Sequence, residues 1–156
     1  MRLIAALLSI FMLFSFTQTP AIAASFSDTK GTMHDVHISE LNDRGLIGGY
    51  PDGTYRPNNS LTREQAVRLI GRYIVKEGYK YPEDFATDAR FEDVSLKSDV
   101  ELLQLSSMLY EEGVFAGDNG YLNPKSHMQR QHMALVLVRI LKDFANVNLI
   151  DEAQQA

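Results

Sequence analysis

The stretch GGYPDGTYRP at residues 48–57 decides how this chain folds. Pro51, Asp52 and Gly53 form a tight-turn signature, because proline fixes its own φ and glycine can adopt a positive φ. The two glycines that open the stretch let the backbone turn sharply or approach a ligand closely. These residues predict a structured loop between two regular elements.

The segments on either side of this loop have helical spacing. Residues 33–41 carry apolar side chains at helical intervals, and Gly45 follows where a left-handed C-terminal cap would lie. After the loop, Thr62 and Gln65 have the spacing of a capping box, and a broad apolar face continues from there to Gly78. The pattern predicts a helix–loop–helix unit.

A second, weaker copy of this unit follows. An ordered series of glycines, a proline and two arginines recurs with one residue deleted: Gly113, Gly117, Gly120, Pro124, Arg130 and Arg139 match Gly45, Gly49, Gly53, Pro57, Arg63 and Arg72. Ser98 and Glu101 have capping-box spacing and predict the start of its first helix. The order of the matches indicates an internal repeat.

The repeat and the flanking composition divide the chain into five parts. Residues 1–24 have the basic start, apolar run and small residues of a secretory signal peptide, and the apolar run is short for a bilayer span. The first unit is residues 25–78, a polar linker covers 79–90, and the second unit is 91–145. Residues 146–156 are predicted to be a flexible tail.

Composition excludes several kinds of function. The 156 residues carry a net charge of −5 and no cysteine. Removal of the signal peptide would bring the charge to about −6, which disfavours nucleic acid and anionic lipid as partners. The missing cysteines exclude disulfides, thiolate zinc sites and cysteine catalysis. His34 and His37 lie three positions apart but lack an evident third ligand, so we predict no metal site and no cofactor.

A purely structural role explains Arg63 less well than any other residue of the motif. It lies in the first turn of a predicted helix, where the macrodipole disfavours a cation. A guanidinium beside free backbone N–H groups can clamp a carboxylate or another small anion. The alternative is a salt bridge to Asp52, Glu64 or an acid of the other unit. Arg130 repeats the placement, which favours a ligand. The loop itself is explained equally well as a connector whose tyrosines cover the helix pair.

These residues resemble a known family. Residues 26–28, 45–57 and 61–65 closely resemble the S-layer homology repeat of bacterial surface proteins. The resemblance is strong over residues 26–73 and weak over residues 91–141. It implies an exported protein that is held non-covalently, without catalysis, on a secondary cell-wall polysaccharide of Gram-positive bacteria, typically through a pyruvylated sugar.

The resemblance also implies a binding site. Arg63 falls on the arginine of the family's threonine-arginine-alanine-glutamate motif, which meets the carboxylate of the ligand. The candidate ligand-binding residues are Asp28, Gly49, Tyr50, Asp52, Gly53, Thr62, Arg63, Glu64 and Arg130. The family's first-helix tryptophan is replaced by Met33 and Glu101, and the second unit lacks the Pro-Asp-Gly turn.

We therefore expect an all-α protein, a small bundle of tandem helix–loop–helix repeats that forms an incomplete version of the family's three-repeat, pseudo-threefold arrangement. It would be secreted to the cell wall or surface, bind wall polysaccharide, and have no contact with the membrane once the signal peptide is cleaved. The first unit would bind and the second would mainly complete the core. Three alternatives stay open: a surface assembly protein that packs against other such repeats, a remnant of a longer anchored enzyme, and a small secreted inhibitor or adaptor.

Overall fold

The computed structural model describes residues 26–144, so the predicted signal peptide and C-terminal tail lie outside the described residues. Four helices follow one another in this range: α1 Asp35–Asp43, α2 Arg63–Lys76, α3 Val100–Glu111 and α4 Arg130–Phe144. Between residues 26 and 144 there are no strands, only isolated bridges, which confirms the predicted all-α class. None of these four helices is long and apolar enough to cross a bilayer.

The predicted start of α2 is confirmed. The backbone N–H of Gln65 donates to the Thr62 hydroxyl at 3.3 Å, and the backbone N–H of Thr62 donates to the Gln65 side chain at 2.9 Å. This reciprocal pair is a complete capping box. The helix ends at Lys76, and Gly78 takes a φ of +102° just beyond it. The loop is thus joined to α2 by a fixed cap.

The predicted cap of α3 is wrong by one residue. Asp99 is the N-cap, and its carboxylate accepts a hydrogen bond from the Leu102 N–H at 2.8 Å. The Ser98 hydroxyl instead donates to the Ser95 carbonyl at 2.8 Å. Glu101 cannot complete a capping box because its carboxylate is bound to two arginines of α2. The N-cap lies at Asp99 and not at Ser98 because aspartate is an equally good cap and because the two arginines hold the Glu101 carboxylate.

The hydrophobic core is shared between the two units. α2 packs along α3, and Gly71 allows the close contact, because a Cβ there would lie 2.8 Å from the Leu105 side chain. The core side chains come from α2 and from the whole length of the second unit, including α4: Ala66, Val67, Ile70, Ile74, Phe91, Val94, Leu102, Leu103, Leu105, Met108, Leu109, Val114, Phe115, Leu122 and Val136. α1 buries Ile38 outside this cluster. The first unit therefore depends on the second for most of its apolar burial.

The two loops are built alike. The Asp28 carboxylate accepts the N–H groups of Tyr55 and Arg56 at 2.8 and 2.7 Å. In the second unit, Asp93 accepts the corresponding two N–H groups, those of Leu122 and Asn123, at the same distances. Each unit thus uses one early aspartate to hold its loop.

Candidate functional site

The Pro-Asp-Gly turn is a self-contained network in the first unit. The Asp52 carboxylate accepts the Thr54 N–H at 3.0 Å and its hydroxyl at 2.6 Å, and pairs with the Arg56 guanidinium at 2.7 Å. These hydrogen bonds, the Thr54 hydroxyl foremost, lower the pKa of Asp52 to about 2. Arg56 also lies 3.8 Å above the centre of the Tyr50 ring. Asp52 and Arg56 thus satisfy each other within the turn.

Gly49 and Asp28 have structural reasons for their places beside this turn. A Cβ on Gly49 would lie 2.2 Å from the Phe26 ring and 2.6 Å from the Thr54 carbonyl oxygen. Asp28 holds the backbone of Tyr55 and the next residue, and the hydrogen bond from Tyr55 lowers its pKa. Both residues therefore shape the loop.

The start of α2 is inserted into the loop of the second unit. The Arg63 N–H donates to the Ser126 carbonyl, and the Glu64 N–H donates to the Pro124 carbonyl, both at 2.9 Å. A salt bridge of 2.8 Å joins Glu64 to Lys125 across the same contact. Two of the free N–H groups of the helix start are therefore used to join the two units.

A groove opens at this contact, and we call it the inter-unit groove. It encloses about 440 Å³. Arg63 is its contribution from the first unit, and the second unit supplies the rest of its wall, including Asp118, His127, His132 and Arg139. The groove therefore belongs mainly to the second unit and receives Arg63 from the first.

Within the part of the chain that the structure describes, the two guanidinium groups in this groove keep free donors. Arg63 uses its Nε to donate to the Leu122 carbonyl, and Arg139 uses one Nη to donate to the Val114 carbonyl at 3.1 Å. Within residues 26–144 neither makes a salt bridge, so the alternative of a salt-bridged Arg63 is not what the structure shows. Asp118 is the single carboxylate in the lining. The remaining N–H groups can receive a carboxylate in a forked geometry.

A second cavity of about 290 Å³ lies at the equivalent place in the first unit. Its guanidinium groups belong to Arg56, Arg68 and Arg72, and each of them is already paired with a carboxylate. Glu101, which binds the latter two, has its pKa lowered by the hydrogen bond from Arg72 first of all. The charges of this first-unit cavity are thus neutralised by the protein itself.

The structure separates the residues that the sequence predicted as ligand-binding. Arg63 lines the inter-unit groove, and Tyr50 lines the first-unit cavity. The others lie elsewhere: Asp28, Gly49, Asp52 and Gly53 build the turn, Thr62 caps α2, Glu64 pairs with Lys125, and Arg130 is exposed at the start of α4 outside both cavities.

Sequence reasoning missed the second-unit wall of the groove. In the sequence, Arg139 is only the repeat match to Arg72, and neither His127 nor His132 is predicted as a site residue. A signal did exist, because the loop and helix of the second unit align with those of the first. Within the described residues, no three His, Asp or Glu side chains are grouped to hold a metal ion.

The tandem of capped helices and glycine-framed loops, with an arginine between neighbouring units, describes a modular repeat with a groove between its two copies. Residues 25–67, which make up most of the first unit, match the family model of the S-layer homology domain.

Several curated proteins share this stretch. The chain is 43% identical over 47 residues to cell surface glycoprotein 1 of Acetivibrio thermocellus, 44% over 52 residues to outer membrane protein SlpA of Thermus thermophilus, and 37% over 51 residues to the cellulosome-anchoring protein of Acetivibrio thermocellus. These matches cover 30%, 33% and 33% of this chain, and 2%, 6% and 11% of those proteins. The likeness is therefore one of a module and not of whole proteins.

Proposed function

We propose that this protein attaches non-catalytically to the bacterial cell surface by binding an anionic wall polysaccharide in the inter-unit groove. The observation that carries the proposal is the pair of guanidinium groups, Arg63 and Arg139, which line one groove and keep N–H donors that no other described residue uses. A pyruvylated sugar presents a carboxylate on a compact ring substituent, and an arginine fork matches a carboxylate in geometry and charge. The rest of the groove would contact the sugar.

The relatives support a role at the cell surface, although their names do not indicate the ligand. Their names describe a surface glycoprotein, an outer membrane protein and an anchoring protein, and each shares the S-layer homology stretch with this chain. Because one of them is named for an outer membrane, the proposal concerns the anionic glycan and does not depend on a Gram-positive envelope. We also propose the division into a signal peptide, two units, a linker and a tail, which makes the protein an exported one.

The contrast between the two cavities supports the choice of groove. Arg68 and Arg72 in the first-unit cavity are neutralised by Asp99 and Glu101. The positions equivalent to these arginines in the second unit are Leu135 and Arg139, and Arg139 has no such acid among the described residues. An anion entering the inter-unit groove would therefore meet unpaired positive charge, whereas one entering the other cavity would compete with built-in carboxylates.

Sedimentation with isolated cell walls tests the proposal. The purified protein is expected to sediment with walls, and Arg63→Ala is expected to leave at least about tenfold more protein in the supernatant, the size of one lost charge-assisted contact. Arg44→Ala is the matched control, because it removes the same charge from an exposed surface pair with Glu40. Walls stripped of pyruvyl groups should release the unmodified protein.

Two results would contradict this mechanism. Sedimentation that survives both Arg63→Ala and removal of the pyruvyl groups would show that no carboxylate clamp operates. An equal loss with Arg44→Ala would show that overall charge, not the groove, decides binding. Arg63→Lys keeps the positive charge but lacks the forked N–H donors of arginine, so its binding to walls should be weaker than that of the unmodified protein and stronger than that of Arg63→Ala. Thermal unfolding of each variant checks that the fold is retained.

A further inference from the structure

Two histidines line the inter-unit groove beside its arginines. His127 and His132 both belong to the second unit, and both are exposed to solvent. Among residues 26–144, neither imidazole makes a hydrogen bond or an ion pair. Their ring nitrogens can therefore exchange protons with water and are available to an occupant of the groove.

His132 lies on the face of α4 that forms one wall of the groove. The residues of this helix in the lining are His132, Leu135, Val136 and Arg139. Their spacing is that of positions i, i+3, i+4 and i+7, which share one face of a helix. His132 and Arg139 are thus two helical turns apart on the same wall. An anion held by Arg139 therefore lies on the helix face that also carries the His132 imidazole.

The backbone of His127 is fixed against the start of α2. His127 and Thr62 form an isolated antiparallel bridge, and Arg63 follows directly. On one side of this bridge the Arg63 N–H donates to the Ser126 carbonyl at 2.9 Å. On the other side the Met128 N–H donates to a carbonyl of the first unit at 2.8 Å. These hydrogen bonds hold His127 next to Arg63 across the contact between the two units.

The charge of the groove depends on the two imidazoles. The other charged groups of its lining are the guanidinium groups of Arg63 and Arg139 and the Asp118 carboxylate, which leave one net positive charge. The ion pair of Glu64 with Lys125 lies across the same contact but outside the lining, and it is neutral. Histidine is the side chain whose charge changes between about pH 5 and pH 8, whereas carboxylates and guanidinium groups stay charged over this range. Protonation of both imidazoles would therefore raise the net charge of the lining from one to three.

The first-unit cavity lacks this feature. In the aligned repeats the positions equivalent to His127 and His132 are Ser60 and Gln65, and both line the first-unit cavity. Neither side chain takes up a proton near neutral pH, and the Gln65 side chain already accepts the Thr62 N–H in the cap of α2. Of these two cavities, the inter-unit groove is therefore the one that gains positive charge as the pH falls.

We propose that His127 and His132 are specificity-determining residues of the inter-unit groove, which contact the acidic glycan in their protonated form and make its binding tighten from about pH 8 to about pH 5.5. This inference rests on the glycan proposal above, since it concerns the same occupant. A carboxylate in the groove favours the protonated imidazoles, and by linkage their protonation favours binding of the carboxylate to the same extent. A glycan without negative charge gains nothing from this protonation, so the two histidines also select for an acidic one.

Sedimentation with isolated cell walls at about pH 5.5 and about pH 8 tests the proposal. The unmodified protein is expected to bind roughly fivefold more tightly at the lower pH, because each exposed charge pair contributes a factor of a few to binding. The double variant His127→Gln/His132→Gln should lose most of this difference. His34→Gln/His37→Gln is the matched control, because these two histidines are also exposed but lie at the start of α1, outside the groove. Since every variant meets the same walls, titration of the walls themselves affects all of them equally.

A fixed charge at the same two positions separates proton uptake from packing. His127→Lys/His132→Lys should bind at the higher pH about as tightly as the unmodified protein binds at the lower pH, and its binding should change little between them. Thermal unfolding at both pH values checks that each variant keeps its fold.

The outcomes distinguish this inference from the glycan proposal. If Arg63→Ala releases the protein but the unmodified protein binds no more tightly at the lower pH, the role of the histidines is overturned and the glycan proposal stands. The same conclusion follows if His127→Gln/His132→Gln keeps the full pH dependence. If Arg63→Ala binds walls like the unmodified protein at both pH values, the glycan proposal is overturned and this inference with it.

Discussion

Single residues in the loops are fixed by packing as much as by turn chemistry. Phe26 lies over Gly49 and Phe91 lies over Gly117, and in both units the ring leaves no room for a Cβ. Arg56 and Asn123, at equivalent positions, both take a positive φ of 61° and 55°. The arginine tolerates this conformation beside the Tyr50 ring and Asp52. The same backbone path is therefore followed with different side chains.

Gly49→Ala should destabilise the protein by about 1–3 kcal/mol, the usual cost of forcing a methyl group into a filled space. The added Cβ would lie 2.2 Å from the Phe26 ring and 2.6 Å from a backbone oxygen, which cannot move away cheaply. Gly48→Ala is the control, because nothing lies within 4 Å of a Cβ there. Urea unfolding measures both, and an equal effect of the two changes would contradict this account.

At the scale of helices, the contact between α2 and α3 depends on acids at the start of α3. Asp99 caps the helix and also pairs with Arg68, whereas Glu101 binds both Arg68 and Arg72. These groups are partly exposed, so solvent screening limits the worth of each pair. These ion pairs therefore mainly determine how the two helices are oriented, and they add little to the free energy of unfolding.

Asp99→Ala should cost about 1 kcal/mol or slightly more, since it removes both the cap and one partner of Arg68. Asp99→Asn keeps an oxygen for the Leu102 N–H and should cost only a few tenths of a kcal/mol. Thermal unfolding of the two variants separates the cap from the charge. If the two costs were equal, the charge on Asp99 and not its cap would be the stabilising feature.

At the scale of the whole molecule, four carboxylates determine how the stability of the folded protein changes at acidic pH. The pKa values of Asp28, Asp52, Asp99 and Glu101 are all lowered in the folded protein, that of Asp52 to about 2. A carboxylate with a lowered pKa contributes stability that is fully present above its ordinary pKa, 3.8 for aspartate and 4.5 for glutamate, and is lost as the pH falls through the folded value.

The melting temperature is therefore expected to be steady from neutral pH to about pH 5 and to fall progressively between about pH 4.5 and pH 2. Glu101→Gln should make the upper part of this fall shallower, because it removes the glutamate contribution and leaves the aspartates. Calorimetry across this range measures both curves. A melting temperature that is unchanged down to pH 2, or that rises, would contradict the lowered pKa values.

The local pattern of the chain could be predicted from its sequence, because the signals are local. Thr62 and Gln65 lie three residues apart, and a capping box depends on nothing further away. Gly45 and Gly113 both take the positive φ expected after a helix. The one misplaced cap, Ser98 in place of Asp99, came where Glu101 is held by arginines of another helix, which no local pattern contains.

The tertiary structure alone decided which arginines stay free. Arg72 and Arg139 are equivalent in the aligned repeats, yet Arg72 is neutralised by Glu101 of α3, whereas Arg139 lines the inter-unit groove together with Arg63. Sequence by itself determined the helices, the loop and the repeat, since hydrogen bonds within a few residues form them. Which charges remain unpaired is a property of contacts between residues distant in the chain, and these form only when the two units pack together.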